Sequence, residues 1–345
     1  MAIENGPSVP QRDGGIFVIS DTHLGHCDSL HTSFAEFLSW MRELERSEIR
    51  KELLRDGSTF EFKPPQTMVM LGDILELWDP RECNPVYVLH HSYSIFRNLY
   101  ELTCKKVYVL GNHDEFLKVY AGEFGDKSNG VFQVIPRHYP ENPEDFIQVG
   151  ENKFFFIHGQ QFDKLFCKLG CFSKLPTYWG MISGITQKVP GNGWPVVGFF
   201  FSFLVLQISG LIEAGLSLLP VMGFLAVPRV LTQIQGKIWK RVKNKVTDKP
   251  SYKDIQEIID KKYYRKEKDS IKGNVVVFGH THIPEIRDFR SKLGKIFVNV
   301  GSWVKERGNI AGNSFGYIDE RGVYLFKWHN SEPRLEMLGR YSVST

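Results

Sequence analysis

The sequence predicts an α/β fold, a sandwich of two mixed sheets flanked by helices and interrupted by an inserted, mostly helical apolar lid. Three observations predict it. Short apolar runs alternate with helical patterns over the first part of the chain, as parallel strands covered by helices do. Later apolar runs have few helices between them, so a second sheet accommodates them better than one doubly wound sheet. Between Val196 and Pro228 the sequence is almost uniformly apolar and carries a single charge, Glu213.

In chain order, residues 1–14 are polar and rich in Gly and Pro, and read as a tail. Structure begins at the apolar run "IFVI". A helical pattern then extends through 30–56, with Phe34, Phe37, Leu38, Met41 and Leu44 at helix spacing. The run "MVML" reads as a strand, residues 86–102 as a helix, and "VYVL" as the next strand. Further strands are expected near 131–135, at 154–157 ("FFFI"), at 275–278 ("VVVF") and at 296–300 ("IFVNV"), followed by a hairpin in "FGYIDERGVYLFKW". The stretch from 159 to 279 is far longer than an ordinary connection. It implies an inserted subdomain, 165–271, with 15–164 and 272–340 forming one domain around it.

A chain of 345 residues can bury a sizeable core, and its ordinary share of apolar and charged residues excludes a fibre, a repeat array or a disordered chain. The net charge of +4 is too small to argue for nucleic acid, and no nucleic-acid partner is expected. Basic residues do gather in 229–249 and 261–268, which points toward an anionic surface. Cys27, Cys83, Cys104, Cys167 and Cys171 are odd in number and scattered, and the first residues lack the apolar core of a signal peptide. A reducing cytoplasm is the expectation. Cys167 and Cys171 share a helix face by spacing, where packing is the plainer reading and a metal or redox role the alternative.

Five apolar runs stop at the same kind of residue. "IFVI" runs into Ser20, Asp21, Thr22 and His23; "MVML" into Gly72 and Asp73; "VYVL" into Gly111, Asn112, His113 and Asp114; "FFFI" into His158; "VVVF" into Gly279, His280, Thr281 and His282. Taken alone, "GNHDEF" is a turn, with Asp114 capping a short helix. Taken together, the five ends would gather Asp21, His23, Asp73, Asn112, His158, His280 and His282 on one rim, where open α/β sheets place ligands. Burying that many carboxylates and imidazoles is costly unless cations neutralise them. Seven oxygen and nitrogen donors suit two divalent ions, with a carboxylate between them.

The blocks "SDTHLG", "LGD", "GNHDEF", "IHG" and "GHTH", with "NVGSW" after them, resemble the signature blocks of the calcineurin-like metallophosphoesterases. That resemblance implies a four-layer αββα sandwich with a dinuclear centre. It implies one ion on Asp21, His23 and His282, a second on Asn112, His158 and His280, and Asp73 bridging. His113 would not bind metal; the family role is to stabilise phosphoryl charge or protonate the leaving group, with Asp114 orienting it. Mn2+ is the first expectation for the ions, with Fe, Zn or Co compatible with the donors. The implied reaction is in-line attack on phosphorus by a hydroxide held between the ions.

"LGDILELWDP" is similar to the second block of the UDP-2,3-diacylglucosamine pyrophosphatases of lipid A synthesis, which also insert a helical lid between the fourth and fifth blocks. That branch usually has Arg where this chain has His113. Glu76 and Trp78 read equally as residues that support the ligands from behind and pack, or as substrate contacts. Segments 196–212 and 214–228 are each shorter than the roughly 20 residues of a spanning helix, and a single crossing would split the ligands across the membrane. A re-entrant hairpin or an in-plane lid remains. In 229–249, Val230, Ile234, Ile238, Val242 and Val246 recur at helical spacing among lysines and arginines, a pattern of interfacial helices. An intersubunit helix in a homo-oligomer would look the same. The expected substrate is a lipid-linked pyrophosphate or phosphodiester, met at the inner face of the cell membrane by a cytoplasmic, peripheral enzyme that touches it through about 194–249. Arg81, Lys164, Arg229 and Arg241 are candidate phosphate contacts. The alternative is a soluble nucleotide or nucleic-acid phosphodiesterase with the same centre.

Overall fold

The computed structural model describes residues 14–77, 85–125, 130–141, 147–160, 273–305 and 312–342. The tail before Gly14 and the predicted insertion, 165–271, lie outside the described residues, as do Trp78, Arg81, Cys83, Lys164, Cys167, Cys171, Arg229 and Arg241. In chain order the strands are β1 (Gly15–Ile19), β2 (Arg50–Leu53), β3 (Thr59–Phe62), β4 (Pro65–Leu71), β5 (Lys105–Val109), β6 (Gly122–Phe124), β7 (Phe132–Ile135) and β8 (His138–Tyr139). They continue as β9 (Ile147–Val149), β10 (Asn152–Ile157), β11 (Val275–Phe278), β12 (Glu285–Phe289), β13 (Lys295–Asn299), β14 (Ser314–Asp319), β15 (Gly322–Trp328) and β16 (Leu335–Ser342). Helices α1 (His31–Glu45) and α2 (Pro85–Glu101) join them, with a short 3-10 helix at Glu115–Tyr120.

Among the described residues the strands form two mixed sheets and a hairpin. The first sheet runs β16-β15-β14-β1-β4-β5-β7-β6, and the second β12-β13-β11-β10-β8 with β9 also on β10. At the centre of the first, β1, β4 and β5 are parallel neighbours; in the second, β10, β11 and β13 are. The middle of each of those strands is apolar on both faces because both faces are covered, and the polar residues stand toward the strand ends. In β1, Ile16 and Val18 enter the core between the sheets, whereas Phe17 and Ile19 enter the core beneath the helices. The same alternation sends Val69, Leu71, Val107 and Val109 one way and Met68, Met70, Tyr108 and Leu110 the other. Phe154, Phe156, Val275, Val277, Ile296 and Val298 meet the first set from the second sheet.

Helix α1 buries Phe34, Phe37, Leu38, Met41 and Leu44 on the first sheet, as their spacing predicts. The helical pattern does not continue to 56. The chain leaves the helix at Glu45 and returns as the β2–β3 hairpin, turning at Gly57 (φ 83°) with the Asp56 carboxylate accepting from the Ser58 backbone N–H at 2.9 Å. Burial explains the change. Phe60 and Phe62 alternate into the aromatic core against Tyr317 and Phe326, and Trp40 donates its indole N–H to Glu52 at 2.8 Å. A helix through 46–56 would forfeit both.

Candidate metal centre

The carboxyl ends of β1, β4 and β5 face those of β10 and β11 across one rim of the sandwich. Asp21 and Asp73 each stand two residues beyond their strands, and the backbones interlock: Asp21 N–H donates to Gly72 at 3.1 Å and His23 N–H to Asp73 at 2.9 Å. His158 reaches over from the second sheet and donates through Nδ1 to the Leu71 carbonyl at 2.6 Å. His280 N–H donates to Asp21 Oδ2 at 2.7 Å, which fixes the loop after β11 on the end of β1. These four bonds pin two sheets to one site.

Backbone strain is concentrated here. Among the described non-glycine residues, six adopt left-handed φ, and five of these are Asp21, His23, Asp73, His280 and His282. Each such residue costs about 1–3 kcal/mol and persists where the surroundings impose it. Two glycines show what imposes it. A side chain at Gly111 would strike Asp73 Oδ1, and one at Gly72 (φ 71°) would strike the His158 ring. The turn after each strand must be tight enough to bring the donors together.

The donors fall into two groups. Asp21, His23 and His282 place one ligand atom each within 4.8 Å of the others, and Asp73, His158 and His280 do the same. His282 Nε2 lies 3.0 Å from Asp21 Oδ1, His158 Nε2 lies 3.2 Å from Asp73 Oδ2, and His280 Nδ1 lies 3.2 Å from His158 Nε2. His23 Nε2 stands between the groups, 3.7 Å from Asp21 and 3.9 Å from Asp73. Asn112 sits between Gly111 and His113, and the His113 backbone N–H donates to Asp73 Oδ1 at 2.8 Å. The structure therefore brings six of the donors named from the sequence together on one rim, and places Asn112 next to His113, whose backbone binds Asp73.

Whether those donors suit cations is answered by two atoms. His23 Nε2 and Asn112 Oδ1 are buried and have no hydrogen-bond partner. A buried acceptor left in that state costs about 1–3 kcal/mol, which a divalent ion would recover. The electrostatics agree. Burial alone would raise Asp21 and Asp73, yet His282 and His23 hold the first, and His158 and His113 the second, below the usual carboxylate range. Burial would likewise lower His158, but Asp73 pushes it up to about 9. Without ions the imidazoles must carry the countercharge; divalent ions supply it and displace those protons. Mixed carboxylate, amide and imidazole donors suit Mn, Fe, Zn or Co.

Glu76 has a clearer part than its sequence suggested. It is buried, and its two oxygens lie 2.9 Å from His23 Nδ1 and 2.7 Å from His113 Nδ1. One carboxylate thus leaves both Nε2 atoms facing the rim. Burial works against its charge, but His113 and His23 hold it well below the usual range. The expected brace, Asp114, does something else. Its oxygens accept from Gly111 N–H at 2.6 Å, Ile74 N–H at 2.8 Å and the Tyr108 hydroxyl at 2.5 Å, so it shapes the turn and not the imidazole. Three donors already occupy it, and burial with the Asp73 charge nearby pushes it up to about 6. The available signal was position: Glu76 lies three residues beyond Asp73 in the loop after β4. Glu76→Ala is expected to lower turnover and ion affinity about 10–100-fold, measured by steady-state kinetics and metal titration. Wild-type values for both would leave Glu76 a packing residue.

The sequence profile of the family described as "Calcineurin-like phosphoesterase" matches residues 15–284. No curated protein sequence matches the chain. Among solved structures, the chain is similar to Vacuolar Protein Sorting 29 from Cryptosporidium parvum, at 14% identity over 96% of this chain and 98% of that one, TM-score 0.34. It is also similar to GAP50, the anchor in the inner membrane complex of Plasmodium, at 12% identity over 96% and 88%, TM-score 0.42. A dimetal phosphatase from Danio rerio is 11% identical over 91% and 95%, TM-score 0.37. At those identities and scores none of the three bears on substrate or partner. The profile match runs from the first strand to beyond the last histidine pair, and the chain belongs to the calcineurin-like phosphoesterase family.

Proposed function

We propose that this metal-dependent phosphoesterase cleaves a pyrophosphate or phosphodiester bond in a lipid-linked substrate at a membrane surface. The convergence of two donor groups on Asp73, with two ligand atoms left unpaired, carries the hydrolytic part of the reading. Asp21, His23 and His282 would hold one ion and Asn112, His158 and His280 the other, with Asp73 between them. Ions bound there would supply Lewis acidity, making water acidic enough to act near neutral pH and offsetting charge on phosphorus. The chain's own part is to keep Asp73 in place through the His113 N–H, and to hold the His113 ring by Glu76 so that Nε2 faces the rim. His113 is more open to solvent than the buried donors around it, 23% against 2% for Asp73, as a group that must reach a substrate has to be. Its imidazole is raised above its usual range: burial lowers it, but Glu76 and Asp73 outweigh that, so it holds a proton to donate.

The lipid part rests on sequence. The apolar stretch 196–228, with its single charge at Glu213, followed by the basic amphipathic pattern of 229–249 supports an apolar lid at an anionic interface, holding acyl or isoprenoid chains while the phosphate reaches the ions. No helix among the described residues is long and apolar enough to cross a membrane. Mn2+ is the proposed metal. An activity screen with added Mn2+ across nucleoside-diphosphate lipids, sugar-nucleotide lipids and soluble phosphodiesters, with metal content measured alongside, tests the reading. Removal of 196–228 is expected to depress turnover of the lipid substrates while sparing a small chromogenic phosphodiester. Undiminished lipid turnover would refute the lid, and a preference for soluble diesters without detergent would favour a nucleotide or nucleic-acid phosphodiesterase.

A further inference from the structure

The core between the sheets stops short at the rim opposite the metal centre. On β4 the positions facing the second sheet are Leu71, Val69 and then Thr67; on β5 they are Val109, Val107 and then Lys105. The period of two that makes the first four residues core puts Thr67 and Lys105 on the same face. The opposite wall remains apolar, with Phe156, Tyr139, Ile147 and Val149 packed against the core. Polar residues therefore stand where apolar ones would close the sandwich.

A cavity of about 330 Å³ opens there, lined by Ile16, Thr67, Val69, Lys105, Tyr139 and Phe156 among others. That is within the range of small-molecule sites, about 300–1,000 Å³. Its floor is dry: Val69 and Phe156 are fully buried. Its mouth carries Thr67 and Lys105, and among the described residues no carboxylate lines it. Lys105 makes no ion pair among the described residues, and its Nζ lies 5.4 Å from the centre of the Tyr139 ring. A half-buried ammonium beside apolar walls gains from an anion that arrives with its own apolar body. Among the described lining residues, the single ammonium and the absence of an arginine fork favour a monoanion over a phosphate.

We propose that this cleft binds a small carboxylate with an apolar body, such as a medium-chain or aromatic monocarboxylate. The carboxylate meets Lys105 and the polar mouth, and the body lies on Ile16, Val69 and Phe156. The polar mouth is separate from the phosphoester centre, because Thr67 lies near the start of β4 and Asp73 two residues beyond its end, up to roughly 20 Å away at 3.3 Å per residue.

The test uses the full-length, metal-loaded protein and isothermal titration with hexanoate and benzoate, against hexan-1-ol, hexylamine and inorganic phosphate. Hexylamine is the counter-probe because Glu141 is exposed two residues beyond Tyr139. Hexanoate is expected to bind at least about tenfold more tightly than hexan-1-ol, the worth of one charged hydrogen bond. Lys105→Met should erase that preference, Lys105→Arg should keep most of it, and turnover of a chromogenic diester should not change in either. Equal binding of hexanoate and hexan-1-ol overturns the proposal, as does preference for hexylamine or phosphate. So does an unbound panel at about 10 mM, a concentration that even a Kd near 1 mM would fill. The wild-type panel decides alone if a variant fails to fold.

Discussion

Asp73→Ala is expected to strip both cation positions and to abolish measurable turnover. The carboxylate faces both donor sets: His158 Nε2 lies 3.2 Å from it, and His23 Nε2 3.9 Å. Its other oxygen fixes the His113 backbone, and with it the position of Asn112. Alanine would remove one negative charge from a site holding the buried His23 and His158 and the partly exposed His113. Breaking a buried charge pair from one side costs about 3–5 kcal/mol, which is about 10²–10⁴ in rate if it all falls on the transition state. Loss of the ions adds to that. Asp73→Asn is the sharper variant, because it keeps the volume and removes only the charge. Metal content by mass spectrometry and kcat/KM on a chromogenic diester should fall together. Two retained ions at wild-type turnover would show that the rim does not work through Asp73.

The rim was legible because burial and chemistry collide there. A strand buried on both faces reads as an unbroken apolar run, and each of the five runs is followed within two residues by a carboxylate, amide or imidazole. That contrast survives in the letters alone. The left-handed backbone at Asp21, His23, Asp73, His280 and His282 does not, since nothing in those residue types demands positive φ. It follows from the interlocking bonds between loops that lie far apart in sequence.

Other parts were hidden for different reasons. The β2–β3 hairpin was masked by helix-forming residues in 46–56, and tertiary burial of Phe60 and Phe62 overrode that propensity. The Asp56-Gly57 pair was the available turn signal. Strands β12 and β16 lie at sheet edges with half-exposed patterns, so they lack the apolar run that betrays a central strand. Glu76 and Asp114 exchange roles for a geometric reason. Asp114 is next to His113 in sequence, yet its short side chain turns inward to three donors. Glu76 comes from another strand end and has the reach to hold two imidazoles at once.

His113→Ala separates that bracing from metal binding. The ring is held by Glu76 at Nδ1, and His113 Nε2 lies 4.0 Å from Asp73 Oδ2, farther than the His158 contact of 3.2 Å. Its backbone N–H, which holds Asp73, survives the substitution. Both ions should therefore remain bound while kcat falls about 10²–10⁴-fold, the range for loss of a positioned general acid. The effect should depend on the leaving group. A nitrophenolate departs without a proton and should lose less rate than an alcohol or a phosphate, whose departure needs one. Uniform loss across leaving groups would assign His113 to charge stabilisation on phosphorus instead. Loss of metal comparable to that of Asp73→Ala would reject both roles and make the imidazole a ligand.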